Sequence, residues 1–227
     1  MKTKNIAITM LLIAAVTFSG GCKKKEVPQT EKEMPVNVDI NEVNKPADVN
    51  ESKPAESAKA APDFVLKNYD GNSVSLKDLK GKIVVLEWLN YDCPFSKYHH
   101  ETANTMMELA EKYKAKGVVW LGINSTNYMT AEKNKEFADA DKINYPILDD
   151  RYGTVGREYG AKTTPHMFII NAEGMIAYNG AIDNSPMGEK KEGVVNYVDK
   201  ALLELTEGKA VSETVTAPYG CSVKYLE

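Results

Sequence analysis

Beyond about residue 61, the pattern of apolar and polar positions alternates between that of strands and that of helices. Two continuous runs of apolar and β-branched residues, 83–89 and 118–123, are typical of strands buried on both faces. Four further strand patterns, each bounded by turn-forming residues, lie at 64–66, 73–76, 163–171 and 175–180. The chain beyond residue 61 therefore contains enough strands for a central sheet.

Helical spacing of apolar residues separates these strands. The longest helix is predicted over residues 94–116, where proline suits the first position and Gly117 follows the end. Shorter helices are predicted over 130–140 and 154–160, and an amphipathic helix over 189–206. The apolar face of that last helix comprises Val194, Val195, Val198, Ala201, Leu202 and Leu205. Strands that alternate with helices predict an α/β fold, and the final strand pair makes its sheet mixed.

Residues 1–21 have the pattern of an export signal. A basic start precedes an apolar segment that is too short to span a bilayer as a mature helix, and small residues lead to Cys22. This arrangement is similar to bacterial lipoprotein signals, so Cys22 is predicted to carry the lipid at the new N-terminus. The alternative is an ordinary secretory signal with an incidental cysteine. We predict a location in the bacterial cell envelope, on the periplasmic or outer-membrane face.

Residues 22–60 are rich in Glu, Lys, Pro, Asn, Ser and Ala and contain no aromatic residue. Such a segment cannot bury enough apolar surface to offset the entropy lost on ordering. We predict a lipid-anchored, disordered linker that holds a globular domain, residues 61–227, away from the membrane.

The charge of the chain excludes one class of partner. Its formal net charge is −4, and it has two arginines, Arg151 and Arg157. Because nucleic-acid binders carry a basic patch or stripe, we expect no nucleic-acid partner. We also predict no cofactor.

Cys93 is the strongest candidate for chemistry. It follows a buried strand and directly precedes Pro94 and a predicted helix, with Lys97 one turn further on. Free amide groups and the positive dipole end at a helix N-terminus stabilise a thiolate, so the pKa of Cys93 should lie below about 8.5. An inert small residue at a strand end is the alternative. Thr164-Pro165, just before an apolar strand, is a candidate cis peptide bond or an ordinary trans proline.

Several segments together resemble a known family. In chain order they are APDFVL, YDCPFSKYHH, YPILDD, YGAKTTPHMFII, YNGAIDNSP and APYGCSVKY. They resemble the redoxin branch of the thioredoxin-like superfamily, and within it the peroxiredoxin-like group related to alkyl hydroperoxide reductase and thiol-specific antioxidant proteins. The resemblance covers residues 61–227.

The resemblance implies a thioredoxin-like fold and roles for several residues. Cys93 would be the attacking cysteine, and Pro165 would be a cis-proline that faces it. The main chain of Thr164 would pair with the chain of a bound partner around the mixed disulfide. Together with Pro94, beside the thiol, Thr164 and Pro165 form the predicted substrate-binding set.

Some positions depart from the family pattern. Ser96 stands where a dithiol thioredoxin site has its resolving cysteine. Leu86 and Asn90 replace the proline and threonine that precede the peroxiredoxin cysteine, and His166 and Met167 lie where an arginine is expected. These differences weigh against peroxide reduction by the usual peroxiredoxin residues.

Cys221 lies in an irregular tail beyond the last predicted helix, between Gly220 and Ser222. A tail can fold back across a domain, so Cys221 is a candidate catalytic residue that resolves an intermediate on Cys93. A permanent structural disulfide and an unpaired cysteine under the tail remain open alternatives.

Histidines offer little support for a metal site. The chain has three, His99, His100 and His166, and imidazole with a Cys93 thiolate would suit copper or zinc. Adjacent residues point in different directions on a helix, so at most one of His99 and His100 can face Cys93. No metal site is predicted.

We therefore predict a thiol–disulfide oxidoreductase of the cell envelope that uses Cys93 as its nucleophile. Its partners would be a protein thiol or disulfide, or a peroxide, an external thiol reductant and, through the lipid, the membrane. The enzymatic alternative is a thiol-dependent peroxidase that passes through a sulfenic acid. The alternative from another class is a non-catalytic binding module or metallochaperone on the same scaffold.

Overall fold

The computed structural model describes residues 59–227. The predicted signal peptide, Cys22 and the linker up to residue 58 lie outside the described residues. The last two residues of the predicted linker do pair with the sheet, because Ala60 bridges to Met175 and the Lys59 carbonyl accepts from Ile176 at 2.9 Å. The described chain thus joins the fold two residues before the predicted domain boundary. No helix within it is long and apolar enough to cross a bilayer.

A mixed sheet forms the centre of this region. The strands are β1 (Val65–Asn68), β2 (Ser73–Ser75), β3 (Val84–Trp88), β4 (Val119–Asn124), β5 (Ile147–Asp149), β6 (Thr163–Thr164), β7 (His166–Ile170), β8 (Ile176–Gly180) and β9 (Cys221–Ser222). Seven of them form one sheet in the order β2-β1-β5-β4-β3-β7-β8, and β6 and β9 form a separate pair. β3, β4 and β5 run parallel, while β7 and β8 are antiparallel, as predicted.

Helices cover both faces of the sheet. They are α1 (Pro94–Lys97), α2 (Thr105–Lys114), α3 (Ala131–Ala140), α4 (Thr154–Tyr159) and α5 (Tyr197–Thr206). The side chains of α2 and α5 pack on one face against β3, β4 and β7, and those of α4 pack on the other. The predicted α/β architecture is therefore confirmed. β3 and β7 are buried along their whole length, as continuous apolar runs predict.

The long helix predicted over 94–116 is wrong as a single element. α1 passes into a π-helical turn, Tyr98–Thr102, where the Ala103 amide bonds to the Tyr98 carbonyl at 2.8 Å. Asn104 then takes a left-handed conformation with φ 53°, which interrupts the helical hydrogen bonds before α2. As a result, both His99 and His100 are buried.

Two other predicted elements are divided or shortened. The strand predicted over 163–171 is split at Pro165, so that β6 leaves the main sheet and pairs with the tail strand β9. The amphipathic helix predicted over 189–206 begins only at residue 197. Asn196 caps α5 by accepting from the Asp199 amide at 2.8 Å, and Gly193 before it has φ 66°. Val194 and Val195 are consequently exposed rather than on the apolar face.

We expect Asn196→Ala to lower the free energy of unfolding by about 1 kcal/mol, because it removes the side-chain acceptor that caps α5. Urea denaturation measures the change. Asn196→Asp keeps a side-chain oxygen acceptor at the same position and should retain nearly all of the stability. Equal losses in the two variants would show that the cap does not fix the start of α5.

Candidate active site

Cys93 lies at the junction that the sequence predicted, between β3 and α1. It is the N-cap of α1, with extended backbone angles of φ −82° and ψ 121°, and Pro94 follows at the first helical position. The Cys93 carbonyl accepts from the Lys97 amide at 2.9 Å, which closes the first turn. Pro94 is exposed, whereas Cys93 itself is only 1% exposed.

The other predicted site residues of the described region gather around this sulfur. The Thr164-Pro165 bond is cis, as predicted. The Cys93 thiol donates to the Thr164 carbonyl oxygen at 2.8 Å. β6 and β9 are antiparallel with Thr164 opposite Cys221, so the tail brings the second thiol to the same point. Both cysteines are free thiols.

The two thiols have different acidities. Burial acts to raise the pKa of Cys93, and the Thr164 carbonyl also favours the protonated thiol. Hydrogen bonds from the Cys221 thiol, the Ser96 amide at the start of α1 and the Thr164 side chain outweigh both effects, so the pKa of Cys93 lies below its ordinary value. Lys97 is exposed, and hydrogen bonds rather than its charge carry the shift. Burial, with the adjacent Cys93, raises the pKa of Cys221 to about 11.

A tyrosine two residues before Cys221 fixes the tail next to α1. The Tyr219 hydroxyl donates to Asp183 Oδ1 at 2.9 Å and lies 2.8 Å from His99 Nε2. Its ring packs near Phe95, with centroids 6.1 Å apart. Tyr219 therefore joins the tail to the π-helical turn and to the loop after β8.

A buried carboxylate lies beneath the site on β3. Glu87 is fully buried, and its Oε2 atom accepts from Tyr145 at 2.7 Å and from Trp120 at 3.1 Å. Its Oε1 atom accepts no well-angled hydrogen bond but lies 3.0 Å from His100 Nε2 in an ion pair. The other ring nitrogen of His100 bonds to the Ser96 carbonyl at 2.7 Å. Glu87 thus reaches the helix that follows Cys93 through one histidine.

The pKa shifts of this pair agree with its geometry. Burial acts to raise the pKa of Glu87. The charge of His100 and three hydrogen bonds lower it by a larger amount, so the pKa of Glu87 lies below its ordinary value. Burial lowers the pKa of His100, and Glu87 reverses this, so the net shift is upward. Because one ring nitrogen faces the Ser96 carbonyl and the other faces the Glu87 carboxylate, the geometry favours a protonated His100 paired with Glu87.

The positions that depart from the peroxiredoxin pattern offer no cation to the thiol. His166 is held between the Lys162 amide and Asn179 Oδ1, and burial lowers its pKa to about 4, so it is neutral. Leu86 and Asn90 are buried, and the Asn90 side chain accepts from the Asp92 amide at 2.9 Å.

Within residues 59–227, no group of three or more His, Cys, Asp or Glu residues has metal-binding geometry. The three histidines have separate partners: Tyr219 for His99, Glu87 for His100 and Asn179 for His166.

Sequence reasoning missed Glu87, Tyr219 and Asp183 as parts of this site, and it considered His100 only as a metal ligand. One signal for Glu87 was available, because it is the single charged residue within the apolar run 83–89. Tyr219 lies two residues from Cys221, but nothing local indicates His99 and Asp183 as its partners. These partners meet only through tertiary contacts.

Comparison with known proteins places this geometry among thiol enzymes. The AhpC/TSA family model matches residues 58–179. Thiol-disulfide oxidoreductase ResA of Bacillus thuringiensis subsp. konkukian is 32% identical over 145 residues, which cover 64% of this chain and 78% of that protein. Thioredoxin-like protein YneN of Bacillus subtilis is 31% identical over 125 residues, covering 53% and 69%.

Two solved structures share the fold. An uncharacterized conserved protein from Geobacillus kaustophilus has a TM-score of 0.68 and 32% identity, covering 74% of this chain and 92% of that one. Hypothetical protein SMc02350 from Sinorhizobium meliloti has a TM-score of 0.68 and 26% identity, covering 74% and 94%. The fold is thioredoxin-like, as predicted.

We expect the pKa of Cys93 to be higher in a Cys221→Ala variant than in Cys221→Ser, because serine keeps a hydrogen-bond donor beside the thiolate. The ultraviolet absorbance of the thiolate against pH measures it, with Cys22→Ser in both backgrounds. Equal pKa values in the two variants would show that the group at 221 does not stabilise the thiolate.

Glu87→Gln should lower the free energy of unfolding by about 3 kcal/mol, because it leaves one partner of a buried pair uncompensated. It should also lower the pKa of His100, which nuclear magnetic resonance of the ring protons measures. Glu87→Gln combined with His100→Phe should lose less stability than the sum of the two single changes. Additive losses would contradict the pairing.

The loss caused by Glu87→Gln should depend on pH. The lowered pKa of Glu87 gives stability above its ordinary value of 4.5 that is lost as pH falls through the folded value. The raised pKa of His100 gives stability below its ordinary value of 6.5 that is lost as pH rises through the folded value. The difference in unfolding free energy should therefore be largest between those two ordinary values.

Proposed function

This chain belongs to the AhpC/TSA family and is a thiol-dependent oxidoreductase, and from that premise we propose that it exchanges disulfides with Cys93 as the attacking thiol. One observation carries the proposal. The buried Cys93 sulfur lies at the start of a helix, 2.8 Å from the Thr164 carbonyl oxygen, and the pairing of β6 with β9 places the second cysteine, Cys221, opposite Thr164. A low-pKa thiol beside a second thiol is the arrangement that disulfide exchange requires.

The first step uses the Cys93 thiolate. It attacks one sulfur of a partner disulfide, a mixed disulfide forms at Cys93, and the other partner sulfur leaves as a thiolate. The negative charge beside Cys221 then disappears. Because Cys93 contributes to the raised pKa of Cys221, that pKa falls and the second thiol becomes easier to ionise.

Cys221 completes the exchange. Its thiolate attacks the Cys93 sulfur, a disulfide forms between the two cysteines, and the partner leaves as a second thiolate. An external dithiol then reduces the enzyme by donating two electrons and is itself oxidised to a disulfide. Cys221 thus performs the task for which Ser96 lacks a thiol.

The proposed substrate is a protein disulfide, and the Thr164 main chain next to Pro165 is the proposed contact for its chain. The name of the ResA relative, a thiol-disulfide oxidoreductase, supports this reaction. The buried Leu86 and Asn90 and the neutral His166 give no support to a peroxidase.

The site of action is proposed from residues 1–22 alone. Their export pattern ending on Cys22 supports a lipid-anchored protein of the cell envelope, with residues 23–58 as the spacer. Disulfide chemistry fits such a compartment.

The experiment oxidises the reduced protein with one equivalent of glutathione disulfide and maps the linked peptides by mass without reduction. The unchanged protein should yield a Cys93–Cys221 disulfide. Cys221→Ser should instead accumulate glutathione on Cys93, and Cys93→Ser should react at least roughly tenfold more slowly. Because Cys22 lies in its own peptide, its reaction is scored separately.

A Cys93→Ser variant that exchanges disulfides at the parent rate would refute this function. Hydrogen peroxide is the comparison substrate. A protein that consumes peroxide faster than it exchanges disulfides would be a peroxidase instead.

A further inference from the structure

The C-terminal tail occupies the main-chain edge beside the active-site sulfur. β9 pairs antiparallel with β6, with Thr164 opposite Cys221 and Thr163 opposite Ser222. The pairing continues one residue further, where the Val223 amide donates to the Lys162 carbonyl at 3.1 Å. The edge that an extended polypeptide could use next to Cys93 is therefore already filled by this chain.

The contact is close enough to exclude a second strand. Gly220 has φ 122°, and a Cβ atom at that position would overlap the Thr164 carbonyl oxygen. Val223 is buried against the core beyond β9. With the tail in place, Cys93 is 1% exposed, so a polypeptide disulfide cannot reach its sulfur.

Tyr219 is the side chain that fixes this stretch to the site. It bonds to Asp183 and His99, two residues from different elements, and its ring packs near Phe95. These contacts come from α1, the π-helical turn and the loop after β8, whereas Cys221 pairs with Thr164 on β6. Loss of the Tyr219 hydroxyl removes the anchor but leaves Cys93, Cys221 and Thr164 unchanged.

We propose that the tail stretch 219–223 and an extended polypeptide partner compete for the edge of β6, and that Tyr219 is the positioning residue that sets this competition. The inference rests on the proposed function. In the reduced enzyme the seated tail excludes the partner. A partner that displaces the tail pairs with Thr163 and Thr164, and its disulfide then reaches Cys93.

The same competition drives release. After the mixed disulfide has formed, the tail returns to β6 and carries Cys221 to the Cys93 sulfur. The Cys221 thiolate attacks, the Cys93–Cys221 disulfide forms, and the partner leaves as a thiolate. Because tail and partner use one edge, resolution of the disulfide and expulsion of the partner strand occur together.

Loss of the Tyr219 hydroxyl should change the rates of the two half-reactions in opposite directions. The first half-reaction is measured in a Cys221→Ser background. The probe is a peptide of sequence APYGCSVKY, residues 217–225, whose cysteine is held in a disulfide. Adding Tyr219→Phe should speed the reaction of Cys93 with this peptide by roughly tenfold. With Cys221 present, Tyr219→Phe should slow the resolution of a preformed Cys93 mixed disulfide by a similar factor. Stopped-flow mixing with mass analysis of quenched samples measures both rates in the full chain.

Matched variants separate the anchor from general stability. Tyr113→Phe also removes a tyrosine–aspartate hydrogen bond, to Asp199 between α2 and α5, and should change neither rate. Gly220→Ala displaces the tail through its backbone and should reproduce the effect of Tyr219→Phe.

The rate at which a bulky maleimide alkylates Cys93, followed by mass at the Cys93 peptide, measures displacement of the tail independently of disulfide exchange. If Cys93 takes up maleimide faster in Tyr219→Phe and Gly220→Ala but never reacts with a disulfide, the proposed function fails while the covering role of the tail stands. If both half-reactions slow together, or maleimide uptake is unchanged in both variants, the competition is overturned.

Discussion

A carboxylate buried at the centre of the sheet is the constraint on which much of this structure depends. An unpaired charge in that position would be strongly destabilising, so Glu87 must be met by a cation and by hydrogen-bond donors. His100, Trp120 and Tyr145 supply them from the π-helical turn, β4 and the segment before β5. The pair therefore holds the helix after Cys93 in place over the sheet, and the wide turn at 98–102 allows His100 to reach inward.

In the proposed exchange, two tasks are divided between two cysteines that meet at the Thr164 main chain. Cys93 is buried at the start of α1, and hydrogen bonds that include one from the other thiol lower its pKa. Cys221 lies on a tail held by long-range contacts to β6, His99 and Asp183, and burial together with the neighbouring Cys93 raises its pKa. In the proposed mechanism, this coupling between the two thiols sets the order of reaction.

Local pattern was sufficient where structure depends on nearest neighbours in sequence. The buried strands at 84–88 and 119–124 follow from continuous apolar runs, and the strand–cysteine–proline–helix junction follows from the residues around Cys93. Local pattern failed where a single backbone conformation or cap decides an element. Asn104 and Asn196 end or begin helices that apolar spacing alone extends too far.

The sequence by itself determined the α/β class, the place of Cys93 and the candidate role of Cys221, because each depends on periodicity, adjacency or composition. Only the tertiary structure decided that Cys221 lies opposite Thr164, that Tyr219 meets His99 and Asp183, and that Glu87 is paired with His100. These contacts join residues between 13 and 120 positions apart along the chain. Nothing in the local sequence encodes such long-range contacts, because they depend on how the sheet, the helices and the tail pack together.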